Sequence, residues 1–170
     1  MALAFHADAP IWHQPSDANQ TACPLPNYAE SHAYLLSLAT FERRKVFNEA
    51  LVKFSLDKLQ VTSKQRRVSI LIYCFMPDHV HLLALTRDST FLPDFMRDFK
   101  QATGFAFKRK TKRKLWQKSY HDHVVRTEQS LWAAALYIAA NPVRAGLVEE
   151  ARDWPWTGSL IWDRSALVEG

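Results

Sequence analysis

Two apolar runs, Val68 to Phe75 and His79 to Thr86, are separated only by Met76-Pro77-Asp78. Each run has the length and composition of a strand, and Pro77 pre-sets the backbone of a tight turn, with Asp78 tolerated after it. So short a connection makes the two runs an antiparallel hairpin. The second run opens with His79-Val80-His81. Side chains alternate along a strand, so both imidazoles point to one face and Val80 to the other. Such a pair can converge on a divalent metal while Val80, Leu82 and Leu83 anchor the strand in a core. A bare His-x-His is also what solvated or packed histidines look like.

Periodicity places the hairpin in a larger pattern. Ala33 to Thr40 is a short apolar run that fits a strand. Val46 to Gln60 sets Phe47, Ala50, Leu51 and Phe54 at helical spacing, and Leu92 to Lys108 does the same with Leu92, Phe95, Met96, Phe99 and Ala102. His121 to Arg126 reads as a fourth strand. Thr127 is placed to cap a helix over Glu128 to Ala140, which must end near the Asn141-Pro142 junction. A further short helix is expected over Val143 to Glu150, with Trp154-Pro155-Trp156 packing as a plug. The order β-α-β-β-α-β followed by a helix is an α+β, ferredoxin-like plan: an antiparallel sheet with helices on one face and an added C-terminal helix. Residues 1–30, with Pro10, Pro15, Pro24 and Pro26, read as an irregular arm, 31–160 as one domain, and 161–170 as a tail.

A hydrophobic content of 48% beside 23% charged residues fits a folded domain and argues against wholesale disorder. The formal charge of +5 is unevenly spread. Basic residues crowd the stretch from Arg97 to Lys118 and recur at Lys64-Gln65-Arg66-Arg67 and Arg43-Arg44-Lys45. Any one cluster reads as a solvated helix end; three together point to a polyanionic partner. Cys23 and Cys74 form no disulfide framework, no leader is recognisable, and no apolar run is long enough to cross a membrane. A cytoplasmic protein is expected.

Tyr137 and Asn141 are four apart on the third helix and share a face. If that face lies over the histidines, it gathers two imidazoles, an amide oxygen and a phenol. A phenol ionises only near pH ~10. Beside a metal-polarised phosphodiester it needs less activation, and its attack would give a covalent protein–nucleic acid ester. Tyr137 could instead be a core aromatic, and Asn141 a helix C-cap. The chain has no Gly-rich phosphate loop, which argues against nucleoside-triphosphate chemistry.

The segment Phe75-Met-Pro-Asp-His-Val-His-Leu-Leu83 resembles the His-hydrophobic-His signature of the HUH endonucleases. Tyr137-Ile-Ala-Ala-Asn-Pro-Val-Arg-Ala-Gly-Leu-Val148 is similar to the catalytic helix of the REP-associated tyrosine transposases. Trp116 to Arg126 and Asp153 to Trp156 also resemble that family, in the family order. The resemblance implies a metal-dependent endonuclease and strand transferase that uses Mg²⁺ or Mn²⁺ on single-stranded or hairpin DNA, as a monomer or homodimer. It implies Tyr137 as the nucleophile, forming a 5′-phosphotyrosine, and His79, His81 and Asn141 as metal ligands. Asp78 departs from the pattern, standing where the family often has Asn; it would tighten metal binding or cap the turn.

Lys112, Arg113, Lys114, Lys118, Arg126 and Arg144 are candidate phosphate contacts, and Trp116 either stacks on an unpaired base or fills the core. His121-Asp122-His123 is a rival metal pair and Tyr120 a rival nucleophile. Three alternatives stand beside the enzyme reading. They are a non-catalytic hairpin-binding protein on the same fold, a phosphoesterase using water as nucleophile, and a structural adaptor.

Overall fold

The computed structural model describes residues 31–89 and 91–161. The arm expected over 1–30 lies outside the described residues, as does the tail beyond Ile161. Strand β1 (His32–Ala39) is followed by a 3₁₀ turn (Phe41–Arg43) and helix α1 (Glu49–Arg66). Strands β2 (Val68–Met76) and β3 (His79–Thr86) form the expected hairpin, leading to α2 (Phe91–Thr111) and β4 (His121–Val125). Helix α3 (Glu128–Ala139), the single turn α4 (Asn141–Arg144), a second 3₁₀ turn (Ala151–Asp153) and β5 (Thr157–Gly158) complete the chain. The five strands lie in the order β4-β1-β3-β2-β5, each antiparallel to its neighbour.

Strand β3 is central, and its side chains from Val80 to Thr86 are buried. That explains its near-continuous apolar run, since a strand covered on both faces has no solvent side to mark with polar residues. On one face Val80, Leu82, Leu36, Leu38 and Phe75 meet Val52 and Leu59 of α1 and Phe95, Met96 and Phe99 of α2. On the other, Leu83, Leu85, Leu71 and Ile72 meet Leu131, Ala134 and Ile138 of α3. The third helix thus sits across the sheet from the first two. Among the described residues, no helix is long and apolar enough to cross a membrane.

Three elements depart from the sequence-based expectation. Helix α1 starts at Glu49 because the Asn48 side chain caps it, accepting from Leu51 N at 3.0 Å. Val46 N and Phe47 N instead donate to Pro77 O, which ties the chain to the hairpin turn. The short helix expected over Val143 to Glu150 is one turn, Asn141–Arg144. Gly146 then takes φ 66°, the left-handed conformation that commonly stops a helix, and its N–H closes on Val143 O. Strand β5 pairs with β2 through Gly158 and Thr157, and the Trp154 indole donates to Phe75 O at 3.0 Å.

Thr127 caps α3 as its sequence position predicts, its hydroxyl accepting from Ser130 N at 3.1 Å. Thr127→Ala should lower stability by about 1 kcal/mol. In a urea melt the midpoint should fall with the slope unchanged; an unmoved midpoint would mean that packing alone holds the helix start.

Candidate active site

Register builds the site. In β3, alternation turns His79, His81, Leu83 and Leu85 toward α3, and β1 pairs so that Ser37 stands opposite His81 and Ala39 opposite His79. The Ser37 hydroxyl lies 2.8 Å from His81 Nδ1. His79 Nδ1 donates to the Asp78 carboxylate at 2.6 Å, and the other Asp78 oxygen is 3.8 Å from the Arg43 guanidinium. The Asp78 side chain is thus engaged by His79 and leans toward Arg43 rather than bonding to the turn backbone. It grips the far side of one imidazole, a contact that Asn could also make through its amide oxygen.

With both Nδ1 atoms engaged, the two Nε2 atoms approach to 3.0 Å, the rings edge to face at 89°. A carboxylate only accepts, so neutral His79 carries its proton on Nδ1 and leaves Nε2 bare. When the Ser37 hydroxyl accepts from His81 Nδ1–H, both lone pairs face one point, and a cation there relieves their repulsion. At a separation of 3.0 Å both nitrogens could reach one divalent ion. His81 is held neutral, the ligating state: its pKa is lowered to about 4, first by burial and then by the charges of His79, Arg43 and Arg144, with Asp78 opposing. The pair fits a divalent metal.

Among the described residues, no three His, Cys, Asp or Glu side chains come together as a metal site. Among the described residues, a third side-chain donor would then be an amide or hydroxyl. Helix α3 brings Tyr137 over the pair, its ring 6.1 Å from that of His81 and edge to face at 80°. One turn on, Asn141 Nδ2 donates to Tyr137 O at 2.9 Å, as a helix cap would. That bond uses the amide nitrogen and leaves the oxygen, the atom through which an amide can accept or ligate, for another partner. The Arg144 guanidinium lies 4.7 Å above the Tyr137 ring.

The other candidates divide by position. Lys112, Arg113 and Lys114 are exposed beyond α2, beside the turn that carries Arg43, for Phe41 N donates to Leu115 O and Thr40 bridges Trp116. Lys118 is exposed on the same connection. Arg126 is exposed but follows the far end of β4, away from the histidines. Trp116 belongs to the core: it is 8% exposed, packs against Phe47 and Phe99, and its indole donates to Thr103 at 2.8 Å. Base stacking needs an open ring face, and Trp116 offers none. Tyr120 packs toward the α1/α2 side, and burial, with help from Asp122, makes its phenol harder to ionise. His121 and His123 are exposed on the edge strand. Ser37 and Arg43, which complete the geometry, carry no local motif.

The family model for transposases of the IS200-like kind matches residues 29–141. The chain belongs to the IS200-like transposase family and is an enzyme of that class. A Haemophilus influenzae protein bearing the name REP-associated tyrosine transposase is 24% identical over 143 residues, covering 77% of this chain and 81% of the relative. A solved REP-associated tyrosine transposase bound to a REP hairpin matches with a TM-score of 0.59 at 20% identity, over 80% of this chain and 81% of that one. A crystal structure from Deinococcus radiodurans, described as a transposase, matches with a TM-score of 0.51 at 24% identity, over 68% and 94%. These two structures establish kinship of fold.

Both His79→Ala and His81→Ala should abolish measurable Mn²⁺ binding in a calorimetric titration. Ser37→Ala should weaken it by about 10-fold, as expected for a group that orients a ligand. Asp78→Asn should stay close to wild type while Asp78→Ala weakens as Ser37→Ala does. Wild-type affinity in either histidine variant would remove the metal from this site.

Proposed function

We propose that the chain cuts and rejoins single-stranded DNA at hairpin-forming sites, with Tyr137 as nucleophile and His79, His81 and Asn141 holding Mg²⁺ or Mn²⁺. The observation that carries this is the seating of a phenol on the same sheet face as two convergent imidazole nitrogens. The hairpin in the related solved complex supports the choice of substrate. A divalent ion bound there would withdraw charge from a phosphodiester oxygen.

The remaining work falls to the chain. Arg144 above the Tyr137 ring and Arg43 beside Asp78 put positive charge on two sides of the pair, where a phosphate would sit. Tyr137 Oη releases its proton to solvent as it attacks phosphorus; the bond to the 3′ oxygen breaks and that oxygen takes up a proton from solvent, so no net proton is consumed. The products are a 5′-phosphotyrosine and a free 3′ hydroxyl. The ester conserves the bond energy, so a second 3′ hydroxyl can reverse the step and join a new strand. Imidazole nitrogen donors favour Mn²⁺ over Mg²⁺, whose preference for oxygen is stronger.

Tyr137→Phe keeps the ring and removes its oxygen. Folding and binding to a hairpin oligonucleotide should survive while cleavage with Mn²⁺ is lost, and Tyr120→Phe should still cut. Comparable cleavage by Tyr137→Phe would make water the nucleophile. Replacing Lys112, Arg113 and Lys114 together by Ala should flatten the dependence of log affinity on log salt by roughly 0.7 for each phosphate no longer neutralised. An unchanged slope would take the DNA off this surface.

A further inference from the structure

Across the sheet from the histidines, α1, α2 and the connection from Lys114 to Tyr120 enclose an open groove of about 1160 Å³. Phe105 lies on its wall with 71% of its surface exposed. A lone exposed aromatic is ordinary in itself. The charge around this one sets it apart. The groove's acid, Asp98, is paired with Arg66 at 2.6 Å and Arg97 at 3.3 Å. Among the described residues, Lys58, Lys108, Lys114 and Lys118, which also line the groove, have no carboxylate partner. Lys58 and Lys114 rest instead over the rings of Phe54 and Phe41. An aromatic face among lysines whose charge no carboxylate neutralises is the pattern that binds a single-stranded nucleic acid: bases stack while phosphates are neutralised.

We propose that this groove holds an unpaired stretch of the DNA substrate, with one base stacked on Phe105 and its phosphates against Lys58, Lys108 and Lys118. The assignment rests on the DNA-cleaving function proposed above and extends it to a second surface. Continuity with the active site favours DNA over other occupants. The connection from Leu115 to Tyr120 lines the groove and leads directly into His121 at the start of β4. His121 pairs in register with Ser37, the residue bonded to His81. A strand leaving the groove along this connection thus reaches the cleavage face around the end of the sheet. Lys100 has a different task. Its ammonium donates to the carbonyls of Gln117 and Lys118 at 2.9 and 3.0 Å, fastening the connection to α2.

The test compares a DNA hairpin bearing a single-stranded oligothymidine extension with the same hairpin lacking it. Phe105→Ala in the full chain should weaken binding of the extended probe roughly 5- to 150-fold, the range for removing one base–aromatic stack, and leave the bare hairpin unchanged. Phe105→Trp should restore affinity. An extension carrying 5-iodouracil should crosslink on irradiation to the peptide containing Phe105. Unchanged binding of the extended probe by Phe105→Ala, or equal weakening on both probes, overturns the groove assignment. So does loss of a DNA-free dimer in that variant, which would give the face to a second copy. If Tyr137-dependent cleavage persists in any of these cases, only the groove fails; if the wild-type protein binds neither probe, the function fails with it.

Discussion

Strand β3 lies between two partners with helices over both of its faces, so each of its side chains is committed to one side. A slip of one residue would send Val80 and Leu82 to the α3 side and turn the histidines into the apolar layer against α1 and α2. The cost of burying two imidazoles there, together with the forfeited packing of Val80 and Leu82, pins the register. From that register follows the rest of the site: Ser37 faces His81 from β1, Asp78 reaches His79 from the turn, and α3 closes over both with Tyr137.

The polar contacts turn position into chemistry. An imidazole free to rotate about its side-chain bonds would lose entropy on binding a metal. Here Asp78 and Ser37 hold the Nδ1 sides, and the Nε2 atoms converge at 3.0 Å. Burial keeps His81 neutral, which suits a ligand. Arg43 beside Asp78 and Arg144 over Tyr137 add positive charge around the pair, which suits an anionic substrate. The turn that carries Arg43 holds both Glu42 and Arg43 at positive φ, 58° and 53°, a conformation non-glycine residues adopt at some cost. That backbone aims Arg43 at Asp78.

Local features were legible in the sequence and long-range ones were not. The hairpin, the shared face of His79 and His81, the Thr127 cap and the spacing of Tyr137 to Asn141 each depend on a few neighbouring residues. Ser37 is invisible as a site residue because its role comes from pairing with a strand more than forty positions away. Arg43 is one member of a basic cluster until its turn sets it beside Asp78. Trp116 sits among exposed cations in sequence, yet Thr103, Phe47 and Phe99 enclose it. Strand β5 has two residues, too few for any alternation to be read.

The proposed nucleophile is Tyr137, so no other group should become joined to the DNA. The most direct measurement of this is mass spectrometric sequencing of the protein trapped with Mn²⁺ and a hairpin substrate, then trimmed by nuclease and digested with protease. The expected result is a nucleotide 5′-phosphate on the peptide from the α3 segment, with fragmentation assigning it to Tyr137. A nucleotide on Tyr120 or another side chain, or cut DNA with no adduct at any stage of turnover, would contradict it.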